Sequence, residues 1–335
     1  MVFDIAAEHG GALSILHNYY NKAVKDQNNS WIFIISTPVF VETVNVKVIN
    51  YPWTKKSWFH RLLFDQVIAH KLVNQYSADK VISLQNVIIP HTKIKQTVYL
   101  HQPLPFVEKK YNIFENFNFW MYQNIISRFI HKSLKEADGV IVQTEWLKNE
   151  VINRVGVSED KITIQRPEIS ITIKDRYNPR PTSEVTFFYP ASGIEYKNHD
   201  VILSACRILE DKGVVNYKVI FTLNEKDSKY TRKLYNIVSK ENLPVHFIGS
   251  INRDKVYKYY TESVLLFASY IETFGLPLLE AKMHNTPIIA SDCNFSHEIL
   301  FDYDKVTYFN PFDEKVLANK MQSYIHSREN ESFDV

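Results

Sequence analysis

The chain has 335 residues, of which 45% are apolar and 23% charged, and its formal net charge is +2. A chain of this length is longer than a single domain with one hydrophobic core usually is, so two domains are expected. The composition excludes a disulfide scaffold, because Cys206 and Cys293 are the only cysteines, and both are expected to be inert core thiols. The small net charge predicts no nucleic-acid partner.

The N-terminal sequence MVFDIAAEHGG has neither the basic nor the apolar segment of a signal peptide. Apolar runs elsewhere are too short to span a bilayer. We therefore expect a cytoplasmic protein, either soluble or bound peripherally to the inner face of the cell membrane.

Short apolar runs alternate with helical patterns, the order typical of parallel sheets built from βαβ units. A first series of strands is predicted at 2–6, 31–37, 44–50, 80–84, 96–101 and 139–144, with helices over 12–25 and 58–76. A second series is predicted at 185–191, 217–223, 245–250, 263–269 and 286–291, with helices over 200–212, 229–241 and 253–261.

Residues 166–184 contain three prolines and no clean periodicity, as expected of an interdomain linker. The predicted domains are therefore 1–170 and 171–312, followed by a closing helix and tail over 313–335. Two domains joined by such a linker are expected to leave a cleft between them. Ligands are expected there, at the carboxyl ends of the parallel strands.

Candidate ligand-binding residues of the first domain follow predicted strands. Gly10 and Gly11 would let the backbone approach a ligand closely. They lack the glycine spacing of dinucleotide-binding and P-loop folds. His101 ends another strand, where it could face a ligand or be a hydrogen-bonded structural histidine. Ser83–Asn86 lies at a further strand end with the same two interpretations.

Two aromatic clusters, 51–61 and 114–122, lie in the first domain. Mixed aromatic and basic residues suit the interface of an anionic membrane, and Lys55–Trp58 favours this surface role. The spacing of Phe117, Trp120 and Met121 instead indicates packing in the core.

Chemistry concentrates in the second domain. Lys197 stands after the first strand of that domain, where its ammonium could stabilise a departing diphosphate. In YIETFGLPLLEA, Glu272 is expected on a loop and Glu280 in the first turn of a helix opened by Pro277. Unpaired amides around Gly275, Leu276 and Leu278 would then form an anion site. The alternative is that both glutamates are solvated.

These residues resemble a known family. Glu272, the stretch Phe274–Pro277 and Glu280 are similar to the Glu-x(7)-Glu signature of retaining glycosyltransferases of family 4, of bacterial polysaccharide-assembly type. The resemblance implies an α/β GT-B fold, in which two Rossmann-like domains with parallel sheets face each other across a cleft.

The resemblance also implies roles for individual residues. Catalytic roles fall to Glu272 at the donor sugar, Lys197 at the diphosphate and His101 near the transferred sugar. Donor binding falls to Glu280 on the ribose, to the amides of Gly275 and Leu276, and to a further set comprising Thr273, Phe274, Gly10, Gly11 and Ser192. Ser192 is a departure, because the family has an arginine there. That change leaves one cation fewer for the leaving group.

The implied function is transfer of a hexose-type sugar from a nucleotide diphosphate sugar to a lipid-linked glycan in capsule, O-antigen or other cell-surface polysaccharide synthesis. A UDP-sugar is the first expectation, with GDP- and dTDP-sugars as alternatives, and no metal or other cofactor is expected to be essential. Asp302-Tyr303-Asp304 is interpreted as a turn.

The alternatives are a catalytically degenerate GT-B subunit that binds nucleotide sugar or serves as a scaffold, motivated by Ser192, and a phosphorylase-like enzyme that uses pyridoxal phosphate.

Overall fold

The computed structural model describes residues 1–8, 10–167, 173–179 and 184–333, with side chains of the last helix described to 328. The chain divides into two compact units, Met1–Glu168 and Ile169–Val335. Each unit is built around one parallel sheet.

The sheet of the first unit has seven parallel strands in the order β3-β2-β1-β4-β5-β6-β7. Val2 pairs with Phe33 on one side of β1 and with Ile82 on the other. The strands are β1 Val2–Asp4, β2 Trp31–Ile35, β3 Val46–Asn50, β4 Lys80–Ser83, β5 Lys95–Tyr99, β6 Gly139–Val142 and β7 Ile162–Ile164.

Six α-helices connect these strands, and two of the connections contain a π-helical turn. The helices are α1 Gly10–Lys25, α2 Trp58–Leu63, α3 Ala69–Gln75, α4 Phe117–Met121, α5 Ser127–Glu136 and α6 Glu145–Val155. The π turns, Phe64–Ile68 and Tyr122–Ile126, join α2 to α3 and α4 to α5, and short 3-10 turns cover Pro52–Lys55, Leu104–Phe106 and Glu159–Lys161.

The helices cover both faces of the first sheet. Neighbouring strand residues point to opposite faces, so consecutive residues of β1 pack against different helical segments. Val2 packs with Leu16 of α1. Phe3, the next residue, packs on the other face with Phe64 and Leu72 from the connection between β3 and β4. Residues of β5 and β6 pack with α5 and α6 in a separate cluster.

The sheet of the second unit has six parallel strands in the order β10-β9-β8-β11-β12-β13. The strands are β8 Val185–Tyr189, β9 Tyr217–Phe221, β10 Val245–Phe247, β11 Val264–Phe267, β12 Ile288–Ser291 and β13 Val306–Phe309. The helices are α7 His199–Asp211, α8 Lys229–Glu241, α9 Arg253–Glu262, α10 Leu276–Met283, α11 Asn294–Ile299 and α12 Glu314–Phe333, with 3-10 turns at Glu195–Lys197 and Glu225–Asp227.

One hydrophobic core holds the second unit together. All four residues of β11 and all four residues of β12 are buried, which explains why these strands are almost entirely apolar. The final helix α12 contributes Leu317, Met321 and Ile325 to this core. A serine cap starts α8, since the Ser228 side chain accepts a hydrogen bond from the amide of Thr231.

The predicted alternation of strands and helices is confirmed, although most strands end one to three residues earlier than predicted. Strands β7 and β13 were not predicted from the sequence. Part of the predicted linker, 168–172 and 180–183, lies outside the described residues. Within the remainder, the amide of Tyr177 donates to the carbonyl of His284 at 2.7 Å and that of Asn178 to Thr261 at 2.9 Å.

Across the described residues, no helix has both the length and the apolar character needed to cross a bilayer.

The end of α6 gives a test of local backbone energetics. Gly156 caps this helix with φ of +77°, and a Cβ there would meet no atom within 4 Å. Gly156→Ala should therefore lower the free energy of unfolding by about 1 kcal/mol, through the backbone alone. Gly156→Asn, which tolerates this conformation, should lose less in urea unfolding. Equal stability of all three proteins would contradict the expectation.

Candidate functional site

The loop after β8 ends in a left-handed corner. Its 3-10 turn, Glu195–Lys197, is followed by Asn198 with φ of +62°, where α7 begins. The buried Tyr189 hydroxyl donates a hydrogen bond to the Lys197 carbonyl oxygen at 2.6 Å. This hydrogen bond ties the backbone at Lys197 to β8, the strand that precedes the loop.

The loop after β11 packs against this corner, because β8 and β11 are neighbours in the sheet. The amide of Tyr270 and the hydroxyl of Ser269 both donate to the Tyr196 carbonyl oxygen, at 3.2 and 3.4 Å. The Asn198 side-chain amide donates to the carbonyl oxygens of Pro311, at 2.6 Å, and Ala268, at 3.4 Å. Three chain segments are thus joined around residues 196–198.

This packing brings together two residues predicted from sequence. The Lys197 ammonium forms an ion pair with the Glu272 carboxylate. Their side chains are 17% and 15% exposed, so the pair is shielded but reachable from solvent. The Lys197 nitrogen also lies 5.5 Å from the centre of the Tyr196 ring. Burial, aided by the charge of Glu272, raises the pKa of the Tyr189 hydroxyl well above its ordinary value.

Gly275 sets the direction of the chain after Glu272. It has φ of +92°, the left-handed region that favours glycine, and it caps α10. A Cβ there would lie 3.3 Å from Leu278 and 3.6 Å from both Ile299 and Phe267. Phe274 is buried, whereas Thr273 and Leu276 are half-buried.

One detail of the predicted anion site is wrong. The amide of Leu278 donates to the carbonyl oxygen of Gly275 at 3.0 Å, so it is not unpaired. The reason is that the left-handed Gly275 turns its carbonyl back toward the first turn of α10. The anion-binding prediction therefore rests on the amides before Leu278.

The predicted position of Glu280 also needs correction. The helix begins at Leu276, so Glu280 is its fifth residue and lies beyond the first turn. Its carboxylate is buried and paired with the guanidinium of Arg253, and the Tyr260 hydroxyl donates to its other oxygen at 3.3 Å. Glu280 is therefore not a solvated helix residue. Arg253 and Tyr260 escaped the sequence analysis because they belong to the preceding helix, α9.

Ser192 is exposed in the loop after β8. The next residue, Gly193, leaves room for α8, since a Cβ on it would lie 2.2 Å from the Thr231 methyl group. This loop therefore packs closely against the start of α8 beside Ser192.

The candidates of the first unit occupy two places. Gly10 and Gly11 form the first residues of α1, with open space where a Cβ would stand. His101 stacks on Tyr99 with ring centres 4.3 Å apart, and its amide donates to the Asn86 side-chain oxygen at 2.6 Å. Burial lowers the pKa of the His101 imidazole to about 4. The ring is therefore neutral at physiological pH.

A buried carboxyl group of the first unit was not predicted from the sequence. Asp4 ends β1, and burial raises its pKa to about 7 despite a hydrogen bond from the amide of Ala7 at 3.0 Å. Its second oxygen has no hydrogen-bond partner among the described residues. The only sequence signal was an aspartate directly after two apolar residues of a strand.

Within the described part of the chain, no group of three or more histidine, cysteine or acidic side chains could hold a metal ion. Asp302 and Asp304 flank Tyr303 in a turn after α11, with φ of +59° at Asp302. Cys206 is buried and Cys293 half-buried, and no disulfide joins them.

Comparison with known proteins covers both units. Residues 170–332 match the family model of glycosyl transferases group 1. The O-antigen chain mannosyltransferase RfbU of Salmonella typhimurium is 24% identical over 252 residues, which are 74% of this chain and 65% of that protein. The match therefore spans just under two thirds of the curated relative.

Solved glycosyltransferases share the fold. The lipopolysaccharide-biosynthesis glycosyltransferase WaaG aligns with a TM-score of 0.71 and 13% identity, over 99% of this chain and 92% of its own. Sucrose-phosphate synthase from Thermosynechococcus elongatus gives 0.70 and 16%, over 98% and 89%. HepE from Anabaena, in complex with UDP-glucose, gives 0.68 and 13%, over 99% and 90%.

The solved structures confirm the predicted GT-B fold. The match to the family model covers the part of the chain that contains Lys197, Glu272 and Glu280.

His199, the residue after this corner, provides a pH-dependent stability test. Its ring packs against Tyr189 and Phe221, and neither ring nitrogen has a hydrogen-bond partner among the described residues. Burial, aided by the charge of Lys197, lowers its pKa to about 3. In the unfolded chain this histidine has a pKa of about 6.5 and takes up a proton, whereas in the folded protein it stays neutral. The free energy of unfolding therefore falls as pH drops below about 6.5.

His199→Phe should remove about 2 kcal/mol of the destabilisation between pH 7 and pH 5, measured by urea unfolding. His246→Phe, the same substitution at an exposed position of the same unit, is measured alongside as the control. An unaltered pH dependence in His199→Phe would show that the ring is solvated.

Proposed function

We propose that this protein is a retaining, family 4 type glycosyltransferase. It moves a hexose-type sugar from a nucleotide diphosphate sugar to a lipid-linked glycan in cell-surface polysaccharide synthesis. The observation that carries the proposal is the Lys197–Glu272 ion pair, formed where the loops after β8 and β11 meet. Glu272 lies three residues before the left-handed Gly275 that opens α10.

The geometry supports binding of a diphosphate at this place. Lys197 supplies a fixed cation, and the amino end of α10 supplies backbone amides and the positive end of a helix dipole. Glu272 stands beside both, where its carboxylate can accept hydrogen bonds from sugar hydroxyl groups. Glu280 is held by Arg253 and Tyr260, so its carboxylate would meet the ribose hydroxyl groups in a fixed position.

The proposed reaction is a front-face displacement. The bond between the anomeric carbon and the diphosphate oxygen breaks while the acceptor hydroxyl oxygen forms its bond on the same face. Negative charge develops on the departing diphosphate, where Lys197 and the amides near Gly275 stabilise it. The acceptor proton passes to the leaving phosphate oxygen. Ser192 offers a hydroxyl but no charge. In this loop, Lys197 is therefore the cation that would stabilise the leaving diphosphate.

Two relatives support the details of the substrates. RfbU is named as an O-antigen mannosyltransferase, and HepE binds UDP-glucose. On this basis we propose a UDP-sugar as the first donor to test, with GDP-mannose as the second, and a lipid-linked glycan as acceptor. We also propose that His101, Gly10 and Gly11 serve the reaction from the first unit. Peripheral contact with an anionic membrane forms part of the same proposal.

Lys197→Ala and Glu272→Gln should each reduce release of nucleotide diphosphate by about 10²-fold or more, because each removes charge stabilisation or sugar orientation in the transition state. Turnover is measured with lipid-linked acceptor and a panel of sugar donors. Lys233→Ala is the matched control, since Lys233 also forms an ion pair, with Asp200 at 3.0 Å, but is 61% exposed. Its turnover should match that of the parent protein.

Wild-type turnover in both site variants would reject the assignment of the site. Calorimetry separates the degenerate alternative from the enzyme. Nucleotide binding without turnover, in the presence of the genuine acceptor, would identify a binding subunit and overturn the catalytic proposal.

A further inference from the structure

Two helical connections of the first unit expose apolar side chains in stripes. Ten of the nineteen large apolar residues that stand exposed in the described chain belong to segments 58–67 and 113–129. The first stripe is Trp58, Phe59, Leu62, Leu63 and Val67, and the second is Ile113, Phe114, Phe117, Ile125 and Phe129. Phe59 is 69% exposed and Phe114 is 96% exposed. A concentration of this kind marks an interaction surface.

This exposure corrects one prediction of the sequence analysis. Phe117 is 55% exposed, and α4 has no buried residue. The core side of this connection starts further along, with Ile130 and Leu134 of α5. The spacing of Phe117 and Trp120 therefore indicates an amphipathic helix whose apolar stripe faces outward.

Both stripes lie on the same face of the first sheet. Phe64 and Leu72, from the connection that contains the first stripe, pack with Phe3 and Val81. Val81 pairs with Gln96, so Val98, two residues further along β5, points to the same side. Val98 packs with Ile130 of the connection that contains the second stripe. The two connections are neighbours, since they end at β4 and begin at β5, which pair.

The stripes also begin at the same edge of the sheet. Each connection starts at the carboxyl end of a strand and runs back along the sheet. The Lys55 ammonium, just before the first stripe, donates to the carbonyl oxygen of Ala6 at 2.9 Å, close to the end of β1. The Gln123 side-chain amide, within the second segment, donates to the carbonyl oxygen of Leu104 at 3.2 Å, shortly after β5. The apolar surface thus adjoins the edge where parallel sheets bind ligands.

Positive charge accompanies the two stripes. Segments 51–76 and 107–136 contain nine lysines and arginines against four acidic residues, in a chain whose net charge is only +2. Lys56, Arg128 and Lys135 are exposed and form no ion pair within the described chain. This surface is therefore complementary to negative charge as well as to apolar groups.

We propose that the two stripes and their basic residues form one docking surface for an anionic lipid bilayer, which we call the aromatic–basic face. The aromatic side chains would lie at headgroup depth and the lysines and arginines would contact lipid phosphates. The inference deepens the proposed function and rests on it for one point, the lipid-linked acceptor. Docking by this face would hold the carboxyl edge of the first sheet at the bilayer surface that carries such an acceptor.

The test is flotation of the full chain with vesicles of phosphatidylglycerol and phosphatidylcholine, compared with vesicles of phosphatidylcholine alone. The parent protein should float with the anionic vesicles and dissociate as salt is added. Two double variants, Phe59→Ser with Leu63→Ser and Phe117→Ser with Phe129→Ser, should each bind at least about tenfold more weakly, a loss of about 1.4 kcal/mol. All four side chains are exposed, so the variants should fold, which circular dichroism checks.

The matched control is Phe301→Ser with Val215→Ser, two side chains that are 70% and 64% exposed in the other unit. It should bind vesicles like the parent. Absence of parent binding to anionic vesicles, or equal binding by all variants, would overturn the proposal. A parent dimer that both double variants convert to monomers, without vesicle binding, would also overturn it and assign the face to a second copy of the chain.

Transfer to a water-soluble acceptor fragment separates the two proposals. The double variants should keep this turnover while losing vesicle binding. Loss of turnover in Lys197→Ala, with vesicle binding intact, would support the proposed site independently of the membrane. Intact turnover in a parent protein that does not bind vesicles would overturn the proposal for the aromatic–basic face and leave the proposed function standing.

Discussion

Parallel strand pairing is the constraint on which the rest of this structure depends. Every strand pair in both sheets runs in the same direction, so all loops that follow strands emerge at one edge of their sheet. In the second unit, β8 and β11 are neighbours although two strands separate them in the sequence. Their following loops share hydrogen bonds through Tyr196 and Asn198, and this contact is what brings Lys197 to Glu272.

Much of this architecture could be predicted from the order of the residues. Apolar runs of strand length between helical patterns indicate parallel sheets, and strand ends indicate where Lys197 and Glu272 would lie. The contact between them could not be predicted by periodicity, because it depends on the strand order β10-β9-β8-β11 and spans 75 residues. Resemblance to a family supplied the grouping that local patterns lacked. The structure gives it a physical cause in the meeting of two loops.

Other features were hidden because burial is a tertiary property. Glu280 was predicted in a first helical turn, with a solvated carboxylate as the alternative, yet α10 begins at Leu276 and the carboxylate is buried and paired with Arg253. Phe117 and Trp120 have core-like spacing, but a stripe of that spacing says only that one side of the helix is apolar. The tertiary structure, and not the spacing, decides whether that side is buried in the protein. The short strand β13, Val306–Phe309, was also not predicted, and only its last residue, Phe309, is fully buried.

The Lys197–Glu272 pair has a consequence for selectivity. A small inorganic anion that approaches Lys197 also meets the negative carboxylate of Glu272, so repulsion offsets attraction. A ligand that brings hydroxyl groups together with its phosphates can hydrogen-bond Glu272 while it neutralises Lys197. In the proposed site, the resting ion pair would therefore disfavour bare phosphate and favour anions that carry a sugar.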